Sequence, residues 1–328
     1  MRRRDLLVAA FAGAAAWPLA ARAQQEPMRR IGVLLDWAIE DPEPRARVAA
    51  FRDGLKKLGW TEGRNLRIDT RWAADAASLK QLAEELVALQ PDVILSPTTS
   101  TTASILQQTR TIPVIFVAVS DPIGSGFVAN FKEPGGNVTG FINVEPTMAG
   151  KWLELLKETA PRVVRVAFLF NPATAPYAEY YLGPFKAAAE SFGVQALTAP
   201  VHGTSDLESV IAAQGREPNG GLMVMPDIFL LNHRAELTSL AARHRVPTIY
   251  PFRLFAEAGG LLSYGNDGID NYRRGAIYAD RILRGTKPGE LPVQAPVKFE
   301  LVINLKTATA LGLNIPLHLQ QRADQVIE

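Results

Sequence analysis

Six hydroxyls fall within seven residues in Ser96-Pro97-Thr98-Thr99-Ser100-Thr101-Thr102. The run follows an apolar stretch and opens a helical one. Backbone N–H groups and hydroxyls at a helix N-terminus suit an anion such as a carboxylate. A plain helix cap needs only one hydroxyl, so the surplus makes Thr98, Ser100, Thr101 and Thr102 candidate ligand contacts. Aspartates stand at comparable places: Asp36 beside Trp37, Asp121 after Ser120, Asp227 after Pro226, and Asp267 after Tyr264-Gly265-Asn266. Asp121, Asp227 and Asp267 could each pair with a ligand ammonium, and each would also serve as a cap or turn residue, while Asp36 is a candidate ligand contact beside Trp37. Ser120, Asn171 and Thr174 add polar groups to these loops. Trp37, Tyr177, Phe252 and Tyr264 could stack on an aromatic or apolar ligand, or pack in a core or between lobes.

Signals for catalysis are poor. The histidines at 202, 233, 244 and 318 are scattered, with no i, i+4 pair to hold a metal. Gly124-Ser125-Gly126 lacks the spacing of a nucleophile elbow, and no Walker A or G-x-G-x-x-G follows the first apolar run. The chain has no cysteine, which excludes disulfides, thiolate chemistry and Cys-based metal sites. The expectation is a non-enzyme without cofactor or metal.

The candidate residues lie at the ends of short apolar runs that alternate with amphipathic ones. Ile31 to Leu35, Asp92 to Leu95 and Pro113 to Val117 read as buried strands, with helices over Val48 to Leu58 and Ala77 to Leu89. After a strand at Val138 to Phe141 and a helix at Met148 to Glu158, the rhythm restarts. Strands are expected at Val163 to Phe170, Val194 to Thr198, Gly221 to Met225 and Val246 to Tyr250. Helices are expected at Tyr177 to Phe192, Leu207 to Ala213 and Leu230 to His244. Continuous apolar strands separated by helices indicate parallel sheets covered on both faces. Two such runs imply an α/β protein of two doubly wound parallel-sheet lobes joined by a hinge. Ligands of such sheets bind beyond the strand carboxyl ends, where the candidate residues stand. The hinge crossings are expected near residues 141–146 and 264–270. Lobe 1 is read as residues 28–142 plus about 266–296, and lobe 2 as 143–265 plus about 297–328.

The first residues have a separate character. Arg2, Arg3 and Arg4 precede an apolar stretch from Leu6 to Leu19, and Ala21-Arg22-Ala23 offers a small-x-small cleavage site. This is the anatomy of an export signal over residues 1–23, too short in its apolar part to span a membrane. Arg3-Arg4 also resembles a twin-arginine signal, so the Sec and twin-arginine routes both fit. Four of the 35 basic and one of the 33 acidic residues fall in this leader, so 31 and 32 remain. A balanced mature chain carries no field to attract nucleic acid or an anionic membrane. Its length, about 305 residues, suits two lobes better than one core.

Two further stretches carry a family likeness. One is Asp121-Pro122-Ile123-Gly124-Ser125-Gly126-Phe127 running into Pro134-Gly135-Gly136-Asn137-Val138-Thr139-Gly140-Phe141. The other is Phe299-Glu300-Leu301-Val302-Ile303-Asn304-Leu305-Lys306-Thr307-Ala308 with Ala310-Leu311-Gly312-Leu313. With these the chain resembles, nearly end to end, the ABC-transporter substrate-binding protein family that includes aromatic amino-acid binders. The resemblance implies the type I periplasmic-binding-protein fold, a ligand cleft between lobes, and delivery to an ABC permease in the inner membrane. It also implies a periplasmic protein, monomeric and not inserted in the membrane. The chain departs from the family where Asp36-Trp37-Ala38-Ile39-Glu40 replaces a loop that is often Gly/Ser-rich. A bulky indole and two acids there narrow or recharge the cleft, so an aromatic amino-acid ligand does not follow from the resemblance. The captured molecule is expected to be small, with amino acids and other small carboxylates among the candidates. An extracytoplasmic sensing module and a secreted α/β enzyme are the alternatives.

Overall fold

Strand β1 (Arg29–Leu35) buries Ile31, Val33, Leu34 and Leu35 completely, as a strand with helices on both its faces must. This computed structural model describes residues 28–328; the export signal read at residues 1–23 lies outside the described residues. Strand β1 pairs in parallel with β2 (Leu66–Trp72) and β3 (Val93–Ser96). Next come β4 (Val114–Val119) and β5 (Val138–Ile142), giving one sheet of order β2-β1-β3-β4-β5. Helix α1 (Pro42–Lys57) covers one face of it, and α2 (Ala76–Ala88) and α3 (Thr99–Gln108) cover the other.

The second sheet is built from β6 (Arg165–Phe170), β7 (Gln195–Pro200), β8 (Gly220–Val224), β9 (Thr248–Tyr250), β10 (Leu262–Asn266), β11 (Phe299–Asn304) and β12 (Gln325–Ile327). Its order is β12-β11-β10-β9-β8-β6-β7. Helices α4 (Met148–Thr159) and α5 (Ala178–Ser191) pack on one face. The other is covered by α6 (Thr204–Arg216), α7 (Ile228–Asn232), α8 (Arg234–Arg243) and α9 (Arg253–Glu257). Where one helix was expected over Leu230 to His244, the backbone leaves helical geometry at His233 (φ −99°, ψ 19°), which separates α7 from α8.

The chain passes between the sheets three times. It leaves the first after β5, returns after β10 as α10 (Gly268–Leu283), and leaves again before β11. Helix α10 joins α1 on the first sheet, and the approach is close: a Cβ on Gly54 would lie 2.7 Å from that of Ala276. Gln294 still belongs there, bonding to Gly140 and Ile142 at the edge of β5. Because the chain re-enters the second sheet at the end it left, β11 runs antiparallel to β10. That is the one departure from the parallel pattern read in the sequence. Small elements α11 (Leu305–Ala310) and α12 (Leu317–Arg322) then lead to β12, parallel to β11. Among the described residues no helix is long and apolar enough to cross a membrane.

Candidate functional site

The carboxyl ends of both sheets' parallel strands face one another, and the space between them is a cavity in two parts. The inner chamber measures about 40 Å³ and the outer, more open one about 420 Å³; they share Thr99, Ser100, Thr174 and Ile228. From the first sheet, Trp37 follows β1, Thr98 to Ser100 follow β3, and Ala118 comes from β4. From the second, Thr174 and Tyr177 follow β6, Pro226 and Asp227 follow β8, and Phe252 follows β9.

Two carboxylates dominate the electrostatics. Asp36 lines the outer chamber. Its Oδ2 accepts from Thr98 Oγ1 at 2.7 Å, while its buried Oδ1 has no hydrogen-bond partner among the described residues. Burial raises its pKa from 3.8 to about 6, against the pull of the Thr98 hydroxyl. Asp227 caps α7 and accepts from Phe229 N (2.9 Å), Asn171 N (2.7 Å) and Thr174 Oγ1 (2.5 Å). Burial likewise lifts it to about 6, although all three donors oppose the rise. Neither carboxylate has a cationic partner among the described residues. Tyr177 donates to Pro226 O at 2.6 Å. Its phenol is pushed far up by burial and by Asp227, with Asp36 contributing, so the two carboxylates act on one place.

The loop after β1 is clamped by the opposite lobe. Asn232 Nδ2 donates to Asp36 O at 3.3 Å, and Ala38 N donates to Asn232 Oδ1 at 3.4 Å. Asp41, whose side chain is 4% exposed, pairs with Arg234 at 2.7 Å. Trp37 belongs to a buried cluster otherwise made of second-sheet residues such as Leu169, Val224 and Tyr250. The lobes are therefore shut on each other.

Among the residues singled out in the sequence, Trp37, Thr98, Ser100, Thr174, Tyr177, Asp227 and Phe252 lie on the inner wall. Several others lie elsewhere. Thr101 and Thr102 are fully buried: both hydroxyls bond Ser96 Oγ at 2.7 Å, and both also donate to Thr98 O. Helical rotation turns them into the protein, whereas Ser100 beside them lines the cavity. Ser120 bonds Tyr181 at 3.0 Å in the interior. Asp121 closes a turn by accepting from Gly124 N. Asn171 supports Asp227 through its backbone N–H. Tyr264 stacks on Phe299, and its carbonyl accepts from Trp152 Nε1. Asp267, one of the sequence's candidates for a ligand ammonium, caps α10 through Ile269 N and pairs with Lys298 at 2.8 Å. Burial pushes its pKa up, but Lys298 and the helix N–H groups outweigh that and hold it below 3.8. Its charge is already matched.

Among the wall residues that the sequence reading did not single out are Arg47, Asn143, Asn266 and Tyr272. Arg47, on α1, donates to Glu43 Oε1 at 2.8 Å and lies 4.8 Å over the Trp37 ring. A Cβ at Gly268 would sit 2.4 Å from its guanidinium carbon, so glycine there makes room for it. A signal was present: Arg47, Phe51 and Leu55 recur at every fourth position, which puts a charge on the apolar stripe.

Comparisons with known proteins follow this geometry. Residues 31–327 match the family described as ABC transporter substrate binding protein. The chain is similar to a tyrosine-binding protein of Clostridioides difficile (strain R20291), with 24% identity over 280 residues, covering 84% of this chain and 79% of that one. Among solved structures it is similar to a conserved domain protein from Vibrio cholerae O1 biovar El Tor, at 29% identity and a TM-score of 0.84. It is also similar to an ABC domain in complex with L-Trp from Streptococcus pneumoniae, at 28% identity and a TM-score of 0.84. Each alignment covers 91% of this chain and 99% of the other. A match running from the first strand to the last, on a two-lobed fold with its cavity between facing strand ends, makes this chain a member of the ABC transporter substrate-binding proteins, which capture a solute for transport.

Proposed function

We propose that the solute is an α-amino acid with an aromatic side chain. The observation that carries this is the pair of desolvated carboxylates, Asp36 on one lobe and Asp227 on the other, with no cationic partner among the described residues. A desolvated carboxylate is costly unless paired, and a ligand ammonium between the lobes would pair both. The ligand carboxylate would meet the backbone N–H groups of Thr99 and Ser100, which the first turn of α3 leaves without helical acceptors. Trp37, Tyr177 and Phe252 supply flat apolar walls for a ring. The printed ligands of two relatives, tyrosine and L-Trp, support the same class.

On this reading the protein works as a periplasmic monomer, exported by its leader, and hands its ligand to an ABC permease in the inner membrane. The bodies that close are residues 28–142 with about 266–296, and 143–265 with about 297–328. Mass spectrometry of the gently purified protein, followed by calorimetric titration with all twenty amino acids after refolding, tests the ligand class. An aromatic amino acid should co-purify and should rebind with micromolar or tighter affinity. Recovery of a sugar, or no binding of any amino acid, would overturn the reading.

A further inference from the structure

Trp37 Nε1, Asn143 Oδ1, Asn266 Oδ1 and the Tyr272 hydroxyl are buried and have no hydrogen-bond partner among the described residues. Their residues are between 1% and 7% exposed, and all four line the inner chamber. Buried polar groups in folded proteins are almost always bonded, so four unbonded ones on a single wall mark a place that expects a polar guest. They arrive from separate parts of the chain. Asn143 follows β5, Asn266 ends β10 and Tyr272 lies in the first turns of α10, all beside crossings between the lobes. Arg47 adds guanidinium donors to the same wall. Of the carboxylates, Asp36 lines the outer chamber, while Asp227 lines the inner one and is bonded to Thr174, which both chambers share.

We propose that this crossing-side wall recognises a hydroxyl at the tip of the ligand's ring, so that the protein selects a phenol over a bare phenyl. The inference rests on the reading of the ligand as an aromatic amino acid and names the feature that distinguishes members of that class. A phenolic hydroxyl donates one hydrogen bond and accepts others. It can give its proton to an Asn oxygen while accepting from Trp37 Nε1 or Arg47. Rotation of an Asn amide exchanges acceptor for donor, and a phenol satisfies either. An indole N–H only donates and meets half the requirement. A phenyl ring meets none of it, and it displaces the water that would otherwise bond these groups. Sites built to hydrogen-bond a substrate hydroxyl reject the analogue lacking it far more strongly than apolar pockets discriminate by size.

The test is calorimetric titration of the refolded full-length mature protein with L-tyrosine, L-tryptophan and L-phenylalanine. L-Tyrosine should bind about 100-fold or more tighter than L-phenylalanine, with L-tryptophan between them. The same titrations on Tyr272→Phe, which removes one oxygen and preserves packing, and on Asn266→Leu should bring the tyrosine-to-phenylalanine ratio down by about tenfold or more. Circular dichroism melts confirm that each variant is folded. Equal affinity for tyrosine and phenylalanine, or a ratio that neither variant lowers, overturns this proposal and leaves the amino-acid reading standing. Failure of every aromatic amino acid to bind overturns both.

Discussion

Replacing Asp36 with asparagine should strengthen the ligand-free fold and weaken ligand binding, two opposite effects of one charge. Burial holds the Asp36 pKa at about 6 instead of 3.8. A rise of roughly two pH units at ~1.4 kcal/mol each amounts to about 3 kcal/mol lost from folding when the group is ionised. The sign follows from the order of the two values. The folded state holds the proton more tightly than the unfolded one, so protonation stabilises the fold. That stabilisation is complete below about 4 and is lost as the pH rises through about 6. Asparagine has nearly the same shape, still offers an oxygen to the Thr98 hydroxyl, and carries no charge at any pH. The variant should therefore exceed wild type by up to about 3 kcal/mol at pH 7.5, and by little near pH 4. On the proposed reading a ligand ammonium reverses the balance, since a hydrogen bond to a charged partner is worth ~1.5–3 kcal/mol, or about 10- to 150-fold in affinity. Guanidinium unfolding at pH 4 and 7.5, with titration of L-tyrosine at pH 7.5, measures both effects. A variant less stable than wild type at pH 7.5, or a difference that does not change with pH, would refute the argument.

Thr102→Val removes a hydroxyl held by Ser96 and Thr98 O in the interior. It should cost about 1–2 kcal/mol in denaturant unfolding and leave L-tyrosine affinity within about twofold; a large affinity loss would place Thr102 at the ligand after all. Gly265→Ala would set a Cβ 1.7 Å from the backbone oxygen of Pro251. Since backbone must move to admit it, a loss of about 3 kcal/mol or more in stability is expected, and an unchanged melting temperature would contradict the packing described. Arg234→Ala leaves Asp41 buried without its cation and should loosen the shut state. Small-angle scattering of the ligand-free variant should give a larger radius of gyration than wild type, and an equal radius would deny the ion pair a part in closure.

Most positions in the first sheet were legible because buried β-strands such as Val93–Ser96 are near-continuous apolar runs, which few other structures require. The strand-end rule then led from those runs to Trp37, Thr98, Tyr177, Asp227 and Phe252 on the cavity wall. Hydroxyl direction was not legible, because the capping interaction of Thr98 with Thr101 fixes the phase of α3 and only then decides which side chains turn inward. Asp36 and Asp267 look alike in sequence, each an acid in a loop after a strand. Lys298, thirty-one residues away, separates them by neutralising Asp267 alone. Arg47 and Tyr272 reach the cavity from helices α1 and α10, which become neighbours only when the chain crosses back to the first sheet. Periodicity marks which face of each helix is buried and is silent on which neighbour that face meets.

The placement of Trp37 within the opposite lobe's core has a kinetic consequence. Each time the lobes part, an indole must leave apolar surroundings for water. Covering the ~150–250 Å² of such a ring is worth roughly 4–6 kcal/mol, of which the share contributed by the other lobe is lost on opening. If the inner chamber fills only while the indole is withdrawn, capture is a gated event. At high solute concentration its rate should level off at the rate of lobe parting rather than climb with diffusion. The same gate governs escape, which ties the dwell time of the cargo to how readily one side chain leaves a hydrophobic socket.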